Sequence, residues 1–221
     1  MRLDWDWDFT LAILPRLVSA LQVTVSATVV GVCIALVLGL LLAIMRRSRV
    51  RPLSLAGGAL IEFVRSTPLL IQIYFLFYVM PRFGVTLTPF LTGVVALGLH
   101  YGAYMSEVYR AGIDSVPRGQ WEAAAALNLG RRRTFFRIIL PQAIPPIVPA
   151  LGNYLVAMFK DTPLLSTITV LELLYTARDI GAETFRYLEP LTLVGLLFLA
   201  VSLVAASGVR LVERRFVSAG T

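Results

Sequence analysis

The 221-residue chain is 57% hydrophobic, with a mean hydropathy of +0.79 and a formal charge of +7. Several runs exceed the roughly 18 apolar residues that mark a membrane-crossing helix, so the chain reads as an integral membrane protein; its basic clusters flank apolar runs and set orientation instead of binding nucleic acid. A single cysteine, Cys33, and a single histidine, His100, exclude a disulfide framework and a Cys/His metal centre within one chain.

Residues 1–16 contain Asp4, Trp5, Asp6, Trp7 and Asp8. This acidic, aromatic stretch does not resemble the basic start of a cleaved signal peptide and reads as an external segment with Trp5 and Trp7 at the outer interface. A charge-free run over 17–45 is the first span, and Arg46, Arg47, Arg49 and Arg51 after it belong in the cytoplasm. The second span covers about 53–80 and carries Glu62 and Arg65; a short external turn at 81–84 leads to the third, about 85–106, which contains His100. Glu107, Arg110, Arg118, Arg131, Arg132, Arg133 and Arg137 then place residues 107–141 inside.

The fourth span, about 142–159, contains Pro145, Pro146 and Pro149, which are expected to kink or delay it and are tolerated where neighbouring helices satisfy freed carbonyls. Residues 163–177 are too short for a crossing and include Glu172, so they read as an interfacial or re-entrant helix. A fifth span at about 190–209 leaves Arg210, Arg214 and Arg215 inside. The expectation is an all-α integral membrane fold of five transmembrane helices, N-terminus outside and C-terminus cytoplasmic. It forms one transmembrane domain over 17–215 with a tail at 216–221, without internal repeats.

The loop between the third and fourth spans is the most informative part. From Pro117 a short helix is expected, with Glu122 near its first turn where a carboxylate suits the helix dipole, then four alanines small enough to let another surface approach. Asn128 ends it in a left-handed turn, and a second, cationic helix over about 131–140 stops at Pro141. On these residues alone the segment is either a docking device or an amphipathic helix touching lipid headgroups. The only lysine, Lys160, lies between Phe159 and Asp161, so no Gly-Lys-Ser/Thr phosphate loop exists and any ATP energy comes from another chain.

Glu122-Ala123-Ala124, with Ile139-Leu140-Pro141 beginning 17 residues after the glutamate, resembles the EAA loop of permease subunits of bacterial type I ABC importers, which docks into the ATPase subunit. One departure stands out. The family's usual glycine falls six residues after the glutamate, where this chain has Asn128, and Gly130 lies two positions later. The stretches 63–70, 116–121, 140–143 and 160–164 extend the likeness to permeases for polar amino acids. Ala126-Leu127-Asn128-Leu129, 150–154 and 185–190 favour the ectoine/hydroxyectoine importer, with glutamine, glutamate or arginine as the alternative solutes. A secondary transporter and a membrane sensor or assembly subunit are the competing classes; the first would need ion-coupling carboxylates, often in repeated halves.

The resemblance implies a non-enzymatic permease in the bacterial inner membrane. It would work with a dimer of ATP-binding-cassette ATPases that hold ATP and Mg, a second permease subunit, identical or homologous, and an extracytoplasmic solute-binding protein. Trp121, Glu122, Ala123, Ala124, Asn128 and Gly130 would carry the coupling. Polar residues within spans are candidates for the pathway, because burying them in lipid is costly. Glu62 and Arg65, three apart on one helix face, either neutralise each other or meet substrate. His100 and Asn153 line the pathway or bond a neighbouring helix. Lys160 and Asp161 grip a zwitterion or pair together.

Overall fold

The computed structural model describes residues 5–217, so residues 218–221 of the expected tail and Asp4 of the leading segment lie outside the described residues. All regular elements among the described residues are helical: α1 (Trp7–Arg46), α2 (Arg51–Arg65), α3 (Leu69–Tyr74), α4 (Pro89–Asp114), α5 (Arg118–Ala126), α6 (Arg131–Thr134), α7 (Leu140–Asp161), α8 (Leu173–Thr184) and α9 (Leu188–Val217).

Helix α1 starts ten residues before the apolar run, because Asp6 is an effective N-cap: its side chain accepts the Phe9 N–H at 2.9 Å. That bond, and then the Arg186 guanidinium at 2.9 Å, hold the Asp6 carboxyl below its ordinary value. Arg186 also pairs with Glu189 and covers the Phe9 ring at 4.5 Å, while Arg16 pairs with Asp179 at 2.5 Å and Glu183 at 2.7 Å. At its other end α1 is tied through Arg47 to Asp114, which also accepts from Arg110 at 3.0 Å. Both ends of α1 are therefore ion-paired, one to α8 and the start of α9, the other to α4.

Helices α1 and α4 form the most extensive helix pair. The buried face of α1 carries Thr24, Ala27, Thr28, Gly31, Ala35, Gly39 and Ala43, spaced three or four apart. Small residues at helical spacing let backbones approach closely, which is how helices associate where lipid removes the hydrophobic drive. Gly98 and Gly102 answer from α4: a Cβ at Gly39 would lie 2.9 Å from the Gly102 carbonyl oxygen, and one at Gly98 would lie 2.3 Å from Ile34 Cγ2. The central core adds Leu69, Ile73, Leu97, Tyr101, Met105, Met158, Leu165 and Ile168.

The second expected span is broken. Arg51–Arg65 and Leu69–Phe83 bend by 104°. The cause is Pro68, which lacks an N–H and pushes Thr67 out of helical geometry. Gln72 closes the elbow, its amide nitrogen lying 2.7 Å from the Val64 carbonyl oxygen, 3.1 Å from that of Thr67 and 2.7 Å from Thr67 Oγ1.

Pro141 also behaves unlike the expectation. The second cationic helix does not end there; it widens over Phe135–Ile139, the Leu140 N–H reaching back to the Phe135 carbonyl, and runs on into α7. A wide turn relieves the clash of a proline ring with the preceding turn. Pro145, Pro146 and Pro149 all lie inside α7, which stays helical through them.

Three segments are long and apolar enough to cross a membrane, Trp7–Arg46, Arg131–Ile168 and Leu188–Arg214, and the bent pair adds a fourth when counted as one broken span. Helix α4 is long but more polar, with His100, Tyr101, Tyr104, Glu107 and Arg110. It lies inside the bundle, where neighbouring helices replace lipid. Residues 162–168 form a 3₁₀ turn and α8 has 12 residues, so this region is too short to cross. Glu172 caps α8, accepting the Leu174 and Tyr175 N–H groups, and the Leu173 N–H donates to Thr24 Oγ1 of α1 at 3.1 Å.

Candidate functional site

Helix α5 projects from the end of α4. Pro117 is its N-cap, and Val116 before it is buried with Ile139, Ala143 and Ile147, a cluster on which half-buried Trp121 and Phe135 pack. Trp121 is thus the inward anchor of α5. Ala124 is buried, whereas Glu122, Ala123, Ala125 and Ala126 face outward and Leu127 is 72% exposed. Glu122 is the fifth residue of α5, not part of its first turn, so the helix dipole is not its reason for being there. Its carboxylate makes no hydrogen bond or ion pair with any described residue.

Asn128 ends α5 as the sequence indicated, with φ of +52°. The Leu129 N–H bonds the Ala124 carbonyl at 3.0 Å and the Asn128 N–H bonds the Ala125 carbonyl at 2.9 Å. These paired bonds form a Schellman ending, which asks for a left-handed residue at that position. Gly130 has no such duty: its φ is −60°, it precedes α6, and a Cβ there would meet nothing. Asn128→Val should therefore destabilise the turn by about 1–2 kcal/mol, whereas Asn128→Gly should be neutral or better. Hydrogen exchange at the Asn128 and Leu129 amides measures the difference, faster in the valine variant alone.

The polar residues proposed for the pathway divide into two groups. On α4, His100, Tyr101 and Tyr104 form an aromatic niche with Tyr154 of α7, ring centroids 5.2 to 6.1 Å apart. His100 Nδ1 lies 3.2 Å from Gln72 Oε1 of α3. Tyr101 donates to Asp161 Oδ2 at 2.6 Å, and the Arg65 guanidinium lies 5.2 Å from the Tyr104 ring centroid. The niche carries a carboxylate on one tyrosine and a guanidinium on another.

Glu62 and Arg65 do not pair. Glu62 accepts only a long bond from Ser66, at 3.4 Å, and both line a polar cleft of about 450 Å³ with Arg46, Gly58, Glu107 and Arg110. Lys160 and Asp161 are also separated: Lys160 faces a groove against Phe198 and Ser202 of α9 while Asp161 turns to Tyr101. Asn153 is exposed and has no hydrogen-bond partner among the described residues. Sequence reasoning missed Gln72 and Tyr154. The signal for Gln72 was available, since it is the lone amide in the apolar run 69–80.

The family described as "Binding-protein-dependent transport system inner membrane component" matches residues 35–218. The chain is 49% identical over 220 residues to a probable amino-acid ABC transporter permease protein, y4tG, of Sinorhizobium fredii (strain NBRC 101917 / NGR234), covering 96% of this chain and 95% of the relative. It is 38% identical to the L-cystine transport system permease protein TcyB of Bacillus subtilis (strain 168), over 91% and 86% of the two chains. Among solved structures, a chain of an amino acid ABC transporter crystallised with histidines superposes with a TM-score of 0.91 at 34% identity, over 96% of this chain and all of that one. The fold, the projecting α5 and these full-length likenesses agree: the chain belongs to the family of binding-protein-dependent transport system inner membrane components, the membrane-spanning permeases of type I ABC transporters.

Proposed function

We propose that this chain is the translocating subunit of an ATP-driven amino-acid importer, with five spans, an external N-terminus and α5 as its docking helix on a partner ATPase. α4 supplies the fifth span, and a second permease and a solute-binding protein complete the assembly. The observation that carries the reading is outward-facing Glu122-Ala123 on an anchored helix, in a chain alike along its whole length to amino-acid permeases. Ectoine, favoured by the sequence, gains no support from these relatives, whose names specify amino acids. The amino-acid alternative takes its place.

The niche on α4 suits a zwitterion. Asp161, held by Tyr101, complements an ammonium group; Arg65, over Tyr104, complements a carboxylate; the aromatic walls pack the rest. Removing one charged partner from a hydrogen bond costs about 1.5–3 kcal/mol, so Asp161→Asn and Arg65→Gln should each lower uptake by about tenfold or more. Proteoliposomes containing this chain with its ATPase, second permease and binding protein should accumulate labelled cystine, arginine or glutamine only with ATP. Uptake of ectoine but of no amino acid would overturn the substrate class, and amino-acid uptake untouched by both substitutions would overturn the niche.

A further inference from the structure

Arg131, Arg132, Arg133 and Arg137 are exposed and line, with Gly130 and Phe136, a broad depression of about 980 Å³. None of their four guanidiniums makes a hydrogen bond or ion pair with a described residue, in contrast to Arg16, Arg47, Arg110 and Arg186. Phe136, 57% exposed, stands among them. Four uncompensated cations around an exposed ring are costly to the isolated chain through mutual repulsion and call for an anionic, partly apolar occupant.

The length of the helix locates that occupant. Residues Arg131–Ile168 form one helical segment of 38 residues. Its 22-residue part, Leu140–Asp161, is about 33 Å long, close to the roughly 30 Å hydrocarbon core of a bilayer. With α7 spanning the core, Arg137 falls about 5 Å beyond its edge, inside a headgroup layer of about 5–8 Å per leaflet, and Arg131, Arg132 and Arg133 fall about 10–14 Å beyond it, from where their long side chains reach back to the phosphates. Guanidiniums bind phosphate oxygens in bidentate fashion, and an exposed phenyl ring beside them enters the acyl boundary.

The geometry points to a binding site for anionic phospholipid headgroups on the α6–α7 junction, built from Arg131, Arg132, Arg133 and Arg137 with Phe136 as its apolar floor. Because Asn128 and Gly130 join this junction directly to α5, lipid held here fixes the base of the docking helix. The site does not depend on which solute is carried.

The test places the full chain in phosphatidylcholine nanodiscs containing a minority of phosphatidylglycerol and counts protein-bound lipids by native mass spectrometry. The wild type should enrich phosphatidylglycerol by about tenfold over the bulk ratio, less so as salt rises. Replacing the four arginines together by glutamine should return bound lipid to the bulk ratio, and replacing them together by lysine should retain most of the enrichment, which separates lost charge from lost folding. No enrichment in the wild type, or full enrichment in the glutamine variant, overturns the proposal. So does a glutamine variant that keeps its lipid and loses co-purifying ATPase, which would make the patch a protein contact.

Discussion

Glu122→Lys should leave the permease folded and abolish ATP-driven uptake. Glu122 is exposed on α5 and makes no hydrogen bond or ion pair with a described residue, so its replacement changes thermal stability by no more than about 0.5 kcal/mol. Any large effect must come from another chain. Reversing a charge across a protein interface costs about 2–5 kcal/mol, which corresponds to more than about tenfold in the coupled population. Uptake and ATP hydrolysis measured in the same proteoliposomes decide it: hydrolysis should persist without transport, or fall with loss of ATPase from the complex. Wild-type uptake in Glu122→Lys would make α5 a passive surface helix. Trp121→Ala is the informative contrast. Trp121 packs on the Val116, Ile139, Ala143 and Ile147 cluster, so that variant should lose both stability and coupling.

Gly39→Ala should be among the damaging single-methyl changes within the bundle, because backbone, and not the ends of side chains, bounds the site. The new Cβ would lie 2.9 Å from the Gly102 carbonyl oxygen, 3.0 Å from Met105 Cβ and 3.2 Å from the Ser106 backbone nitrogen. Two of those atoms are backbone, so relief requires α1 and α4 to move apart. Overpacking of this kind typically costs about 1–3 kcal/mol, and because the seam extends along the whole helix pair the upper end is expected. Gly195→Ala on α9, where a Cβ meets nothing within 4 Å, is the control and should be neutral or slightly stabilising. Thermal unfolding of the two variants in one detergent makes the comparison. Equal midpoints would mean that the α1–α4 seam is looser than drawn.

Much of the all-helical membrane fold was legible from apolar run length, because it reports directly on partition between lipid and water. The turn that ends α5 was legible too, down to the left-handed Asn128, since few residue types adopt that backbone cheaply. What hydropathy could not supply was geometry decided by single prolines. Pro68 bent the expected second span by 104°, whereas Pro141, which looked like a stop, was absorbed by a widened turn that ends two residues upstream. Local sequence is nearly silent on which outcome follows, because both depend on whether neighbours can satisfy the freed carbonyls. Partner choice was equally hidden. Glu62 and Arg65 sit at ion-pair spacing yet face a shared cleft, and adjacent Lys160 and Asp161 diverge because successive positions on a helix point about 100° apart.

The elbow at Pro68 fixes the chemistry of a ring on another helix. Gln72 spends its amide hydrogens on the Val64 and Thr67 oxygens, so its orientation is set and its carbonyl oxygen is the atom turned to His100. An oxygen that can only accept requires Nδ1 of His100 to hold the proton, and a neutral imidazole then carries its lone pair on Nε2. The bend of one helix thereby selects a tautomer on the next, and leaves a proton acceptor on the far edge of the neutral ring.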